Sequence, residues 1–262
     1  MTISVAAEPA LAYLLASLRI VAWLFLVPPF AGRSIPSTAK VVLAVGLSFA
    51  IAPSVVEAGV PTGSVELLVT ALTQVVIGAS LGFVTALLLA AIAAAGSLVD
   101  VFGGFALATA FDPLSMQMNT IFGKFHQMLA TMLLFSSGGH LVVIGGLLKT
   151  FQFLPLGETP DFDATPAILV TAFSMFFLTA VQIALPMIAV LFVADLGLAL
   201  LTKVAPQMNA LGVMLPAKIG LVLLIIGLSF PMLPEVSSRL VELVNESAAA
   251  IAGQAGSGSG GG

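Results

Sequence analysis

Few side chains in this 262-residue chain could do chemistry. There is no cysteine, hence no thiolate nucleophile, no disulfide and no thiolate metal site. Gly78-Ala79-Ser80-Leu81-Gly82 fits the serine-hydrolase pattern G-x-S-x-G. That pattern works on a strand-to-helix elbow, with a histidine and an acid oriented toward the serine. Here it lies within a long helical apolar run, where Gly78 and Gly82 make a small-xxx-small face for close helix contact. The two histidines, His126 and His140, stand apart, with no H-E-x-x-H and no local carboxylate, so no metal site is expected. A nucleotide loop of the form G-x-x-x-x-G-K-[ST] is also missing. The expectation is a non-enzymatic chain with no catalytic residue, no metal and no cofactor.

The sharper signals are charges in apolar surroundings. Arg19, Asp195 and Lys218 sit within apolar stretches, and Asp100 sits at the end of one. Such charges are costly in lipid and generally mark function. One reading makes Asp100, Asp195 and Arg19 the polar core of a secondary transporter of small solutes. The other makes the four residues buried polar or inter-subunit contacts. Four candidates without a cluster of acids favour the second reading.

The elements that would position these residues follow from composition. Only 8% of residues are charged, against roughly 25% in soluble domains. Apolar residues make up 60% and the mean hydropathy is +1.19. Twenty charged side chains cannot clothe a soluble fold of this size. The net charge of −4 argues against a basic tract for nucleic acid or anionic lipid. An ordinary soluble enzyme, a nucleic-acid binder and a disordered chain are excluded, leaving an all-α integral membrane protein. The first apolar stretch lacks a basic n-region and runs past Arg19 to Phe30, too long for a removable signal, so it is expected to be retained.

Six apolar stretches stand out, at 10–31, 41–56, 67–99, 125–148, 167–201 and 210–233. One crossing takes about 20 residues. The second stretch is short for that and the third and fifth are too long, which predicts about six kinked or steeply tilted helices. Pro28-Pro29, Pro53, Pro61, Pro186, Pro206, Pro216, Pro231 and Pro234 punctuate them. Proline inside a membrane helix frees carbonyls that protein or water must satisfy, so these helices are expected to pack within a larger protein body. Arg33, Lys40, Lys124 and Lys203 lie on one side of the expected crossings, Lys149 and Arg239 on the other. The positive-inside rule then places both termini outside the cytoplasm. The turn Lys203–Asn209, with Lys203, Pro206 and Gln207, becomes cytoplasmic.

The link from Asp100 to Lys124 is unlike the others. It holds Gly103-Gly104, Phe111-Asp112-Pro113 and Met116-Gln117-Met118. It is too polar and Gly/Pro-marked for a lipid-facing helix, yet too rich in Phe and Met for a solvated loop. Its place is inside the protein, against a cavity or pore. The last residues, GQAGSGSGGG, have flexible-linker composition, and the tail is expected to span 246–262.

Ordered blocks along residues 10–240 carry a resemblance. They are Phe111-Asp112-Pro113, Leu133-Leu134-Phe135, Gly139-His140-Leu141, Thr150-Phe151, Leu154-Pro155-Leu156-Gly157 and Ala184-Leu185-Pro186. Leu196-Gly197-Leu198, Ala205-Pro206-Gln207-Met208-Asn209 and Leu215-Pro216-Ala217-Lys218 complete the set. Together they resemble the FliR family of flagellar biosynthesis proteins and its type III secretion counterparts. The resemblance implies one subunit of a hetero-oligomeric export gate in the bacterial inner membrane, at the flagellar basal body. Its helices would join FliP-like and FliQ-like subunits in a helical, closed assembly around a channel for unfolded flagellar proteins. FlhB-like and FlhA-like export proteins would be further partners, and other subunits and the proton-motive force would supply energy. Residues 1–9 form an N-terminal segment and residues 10–202 look FliP-like. Residues 203–245 complete a FliQ-like hairpin that begins near 187. The resemblance also implies a channel plug at about 106–120, with Phe111, Asp112, Pro113, Met116 and Met118 as its gasket. A virulence secretion subunit is the alternative within the same family.

Overall fold

The computed structural model describes residues 8–32, 35–51, 63–105, 120–158, 165–204 and 210–253. The described residues form eight α-helices and no strand. They are α1 (Glu8–Leu26), α2 (Ser37–Ala50), α3 (Ser64–Gly103), α4 (Ile121–Ser136), α5 (Gly139–Phe153), α6 (Thr165–Val204), α7 (Ala210–Ser229) and α8 (Leu233–Gly253). A 3-10 turn, Phe230–Met232, joins the last two. Four segments are long and apolar enough to cross a membrane: Glu8–Leu26, Ser64–Gly103, Pro166–Val204 and Pro216–Ala252. The pair α4 and α5 makes a fifth, broken candidate. The chain is an all-α membrane protein.

Local sequence explains where these helices begin, continue and stop. The fourth apolar stretch, expected as one helix over 125–148, is two. Gly138 adopts a left-handed conformation at φ +72°, which glycine reaches without a Cβ penalty. Just before it, the Ser137 N–H closes α4 on the Leu133 carbonyl at 2.9 Å. Lys203 lies within the last turn of α6 and not in a turn after it, a position where its charge suits the negative end of the helix dipole. Pro206 and Gln207 lie outside the described residues, as do Phe111, Asp112, Pro113, Met116 and Met118.

The expected tail boundary at 246 also moves. Helix α8 continues to Gly253, because Leu233, Ser237, Leu240, Val241, Val244, Ala248 and Ala252 form one buried stripe. Glu235, Arg239, Glu242 and Glu246 line the exposed side. This is the three-to-four-residue spacing of an amphipathic helix, and the alanines at 248–250 favour its last turns.

The chain divides into two compact units, interleaved along the sequence. One comprises Met1–Leu88, Gly138–Phe173 and Leu240–Gly262, the other Leu89–Ser137 and Ser174–Arg239. In the first, α1 lies directly against α3. A methyl group on Gly78 would run into the Arg19 carbonyl, and one on Gly82 would come within 3.1 Å of the Trp23 Cα. The G-x-S-x-G match is therefore a packing face inside a 40-residue helix, with no elbow for a nucleophile. In the second unit, Val99, Phe122, Met187, Leu191, Val222 and Ile226 form a buried cluster. That core joins the end of α3, the start of α4, and the middles of α6 and α7.

Candidate functional site

The residues bordering the 106–119 link form a tight neck. Helix α4 begins after Thr120, whose side chain does not cap it. The Thr120 hydroxyl instead meets the Ser97 hydroxyl of α3 at 2.8 Å. Asp100, at the last turn of α3, takes over the capping. Its Oδ2 accepts the backbone N–H of Phe122 at 2.8 Å and of Gly123 at 3.0 Å. These are two of the free donors that every helix start presents, and a carboxylate there also meets the positive end of the dipole. Charge-assisted bonds of this kind contribute about 1.5–3 kcal/mol each.

Small residues make this approach feasible. A Cβ on Gly96 would strike the Phe122 carbonyl, and one on Gly123 would strike the Thr120 and Ser97 hydroxyls. The Asp100 carbonyl also accepts the Phe105 N–H at 3.0 Å, and the Phe105 ring sits edge-on to Phe122 with centroids 5.0 Å apart. His126 is fully buried nearby in α4, with Nδ1 2.8 Å from the Phe122 carbonyl. The chain therefore leaves α3 and re-enters α4 through one fixed point.

Arg19 occupies a different site, in the other unit. It is fully buried. Its Nε donates to Gln74 Oε1 at 2.7 Å, Nη1 to Thr150 Oγ1 at 3.3 Å, and Nη2 to the Leu154 carbonyl at 2.8 Å. The guanidinium also lies over the Phe151 ring, 4.0 Å from its centroid. Among the described residues no carboxylate pairs with it. Neutral acceptors and an aromatic face disperse the charge, and the planar fork fits three of them at once.

Asp195 and Lys218 form the third arrangement. Lys218 Nζ stands 2.8 Å from each Asp195 oxygen, linking α6 to α7. The Lys218 side chain is 11% exposed and that of Asp195 39%, so the pair lies at the edge of its unit. The four charged candidates thus lie in three separate settings, and the buried Oδ1 of Asp100 has no hydrogen-bond partner among the described residues. They form no shared acidic cluster, and among the described residues no group of three or more His, Asp or Glu side chains could hold a metal.

Much of the apolar surface has no cover. Helix α6 is far less buried along its apolar stretch than α3. Phe173, Phe177, Phe192 and Leu200 are each more than half exposed. Such a surface needs lipid or further protein against it.

Comparison with known proteins identifies the architecture. Residues 10–244 match the family described as "Bacterial export proteins, family 1". The chain belongs to this family. It is 36% identical over 192 residues to the flagellar biosynthetic protein FliR of Escherichia coli (strain K12), covering 73% of this chain and 74% of that protein. It is 34% identical over 221 residues to FliR of Aquifex aeolicus (strain VF5), covering 84% and 85%. The secretion system apparatus protein SsaT of Salmonella typhimurium is a more distant relative, at 32% over 159 residues, covering 60% of this chain and 61% of SsaT.

Within this family, sequence reasoning found Asp100, Arg19 and both members of the Asp195–Lys218 pair, but missed the partners of Asp100 and Arg19. Gln74 is a polar side chain inside an apolar run, a signal that could have paired it with Arg19, whereas Thr150 follows Lys149 beyond the fourth run and carries no such signal. The partners of Asp100 are backbone N–H groups, which no residue type announces.

Proposed function

We propose that the chain is a non-enzymatic subunit of the flagellar type III export gate. It would form part of the channel that passes unfolded flagellar proteins across the inner membrane. The observation that carries this reading is the family match over residues 10–244, with FliR proteins covered along most of their length. The uncovered apolar face of α6 fits an incomplete structure that partner subunits finish. On this reading those partners are FliP-like and FliQ-like chains, with FlhB-like and FlhA-like proteins beside them. A place in a virulence system is the second reading, favoured by the likeness to SsaT. A small-solute transporter gains no support from Arg19, Asp100 and Asp195, which are held by different partners and form no shared polar cluster.

The plug belongs to this proposal. The link 106–120 closes the channel, with Phe111, Met116 and Met118 as bulky apolar groups that exclude water, as hydrophobic constrictions do. Thioether side chains repack readily, so the seal would yield to a passing substrate. Pro113 denies the link a helical ladder bond, and Asp112 precedes it. Deleting residues 107–118, or replacing Phe111, Met116 and Met118 with alanine, is expected to leave assembly intact while small ions leak. Conductance or small-solute uptake in variants shown to assemble decides the matter. An assembled deletion variant as tight as the parent would refute the plug.

A further inference from the structure

We propose that Asp100 is a positioning residue that clamps the two ends of the 106–119 link together. Its bearing on the channel rests on the reading of that link as a plug, while the clamp itself stands on described residues.

Three features point to the clamp. The first turn of α4 is capped from a distance: its own cap residue, Thr120, makes no side-chain cap, and the Phe122 and Gly123 N–H groups both go to Asp100 Oδ2. Secondly, the contact is dry. Asp100 is 1% exposed and Phe122 is 7% exposed, so the carboxylate and its two bonds are shielded from bulk solvent. Thirdly, the contact spans the link. Asp100 lies before residue 106 and its partners lie after residue 119, so these bonds tie the stem of the link. The Ser97–Thr120 hydroxyl pair is a second, weaker tie at the same level.

The carboxylate is the stronger tie for a physical reason. One anionic oxygen serves two backbone donors at a helix start, where bonds and dipole act together. Ser97 and Thr120 exchange a single neutral bond, and the Ser97 hydroxyl also reaches the Ala93 carbonyl at 3.2 Å. Without Asp100 the Phe122 and Gly123 N–H groups lose their acceptor from α3. The start of α4 then loses its fixed distance from α3, and so does the re-entry point of the link.

The test uses the complex assembled with FliP-like and FliQ-like partners. The chain has no native cysteine, so Ser97→Cys with Thr120→Cys gives a clean pair across the neck. Mild oxidation is expected to cross-link this pair rapidly in the otherwise parental protein. Adding Asp100→Ala is expected to slow cross-linking about tenfold or more, and Asp100→Asn less, because the amide oxygen can still accept both N–H groups, without the charge. In a membrane leak assay, Asp100→Ala is expected to raise the leak several-fold, and the disulfide joining positions 97 and 120 to return it to the parental level. A merely structural role for Asp100 would lower assembly yield without that rescue. Equal cross-linking rates with and without the carboxylate would overturn the clamp. So would slowed cross-linking with no added leak, in a complex where deletion of 107–118 does leak. If the deletion itself stays tight, the plug reading falls and the cross-linking rates alone decide the clamp.

Discussion

Gln74 stands between Arg19 and the Leu156 carbonyl, accepting from the guanidinium at 2.7 Å and donating at 3.1 Å. One side-chain amide thus ties α1 through α3 to the segment that follows α5. Its orientation is fixed at both ends, since oxygen must face the cation and nitrogen the carbonyl. Gln74→Leu leaves Nε and a carbonyl buried without partners, a loss of about 2–3 kcal/mol. The single tryptophan, Trp23, is buried in the same unit and reports its unfolding by fluorescence. The assembled Gln74→Leu complex is expected to melt several degrees lower, and an unchanged melting curve would refute the relay.

Arg19 itself is expected to tolerate lysine poorly. An ammonium group keeps the charge but cannot reach Gln74, Thr150 and the Leu154 carbonyl in the one plane that the guanidinium occupies. Arg19→Lys is expected to lose at least one bond to a charged group, about 1.5–3 kcal/mol. A melting temperature equal to the parent's would show that charge alone matters at this site.

The Asp195–Lys218 pair calls for a double-mutant cycle. Removing one partner leaves the other's charge at the edge of an apolar unit, whereas removing both leaves none. Asp195→Asn with Lys218→Met is expected to cost less than the sum of the singles, with a coupling of about 1 kcal/mol. Additive effects would mean that the 2.8 Å contact contributes nothing to stability.

Glycines separate packing from mere flexibility. Gly78→Val would push a side chain into the Arg19 backbone, and overpacking of this sort costs about 1–3 kcal/mol. Gly46 has open space around it, so Gly46→Ala is expected to be neutral. The measurement is the yield and melting temperature of the assembled complex. Equal tolerance at both positions would contradict the close α1–α3 contact.

The topology prediction concerns Gln207 and Asn209, just beyond α6. Single cysteines there are expected to react with an impermeant maleimide from the cytoplasmic side. Labelling only from the opposite side would invert the orientation drawn from the basic residues.

Element type was legible in this sequence because transfer into lipid is a local and nearly additive property: runs of Leu, Val, Ala and Phe declare themselves. Helix ends were harder to read. The break at Ser137-Gly138 lies in Ser136-Ser137-Gly138-Gly139-His140, a short run of turn-forming residues that the long apolar flanks on either side outweigh in any average over a membrane span. The end of α8 was hidden because its alternation of apolar and charged residues lowers the average that marks a membrane stretch. Of the candidate site, the costly charges were visible and their partners were not. Lys218 finds Asp195 across the α6–α7 connection, and Arg19 finds groups on α3 and α5, so both pairings depend on tertiary packing. The residues proposed as gasket lie outside the described segments and stand as a proposal.

Helices α3 and α6 have 40 residues each, about 60 Å measured along the helix path at the usual rise, and α6 holds Pro186 within it. A bilayer's hydrocarbon layer is about 30 Å thick, and helices ordinarily tilt by no more than about 40°. Tilt within that range cannot take up such a length. Part of each must stand clear of the acyl chains or be sheathed by neighbouring protein. Lipid around this molecule therefore meets a thickness mismatch, and acyl-chain length becomes a lever on it. Thicker membranes would shelter more of the two helices, while thinner ones would strip them and drive subunits together.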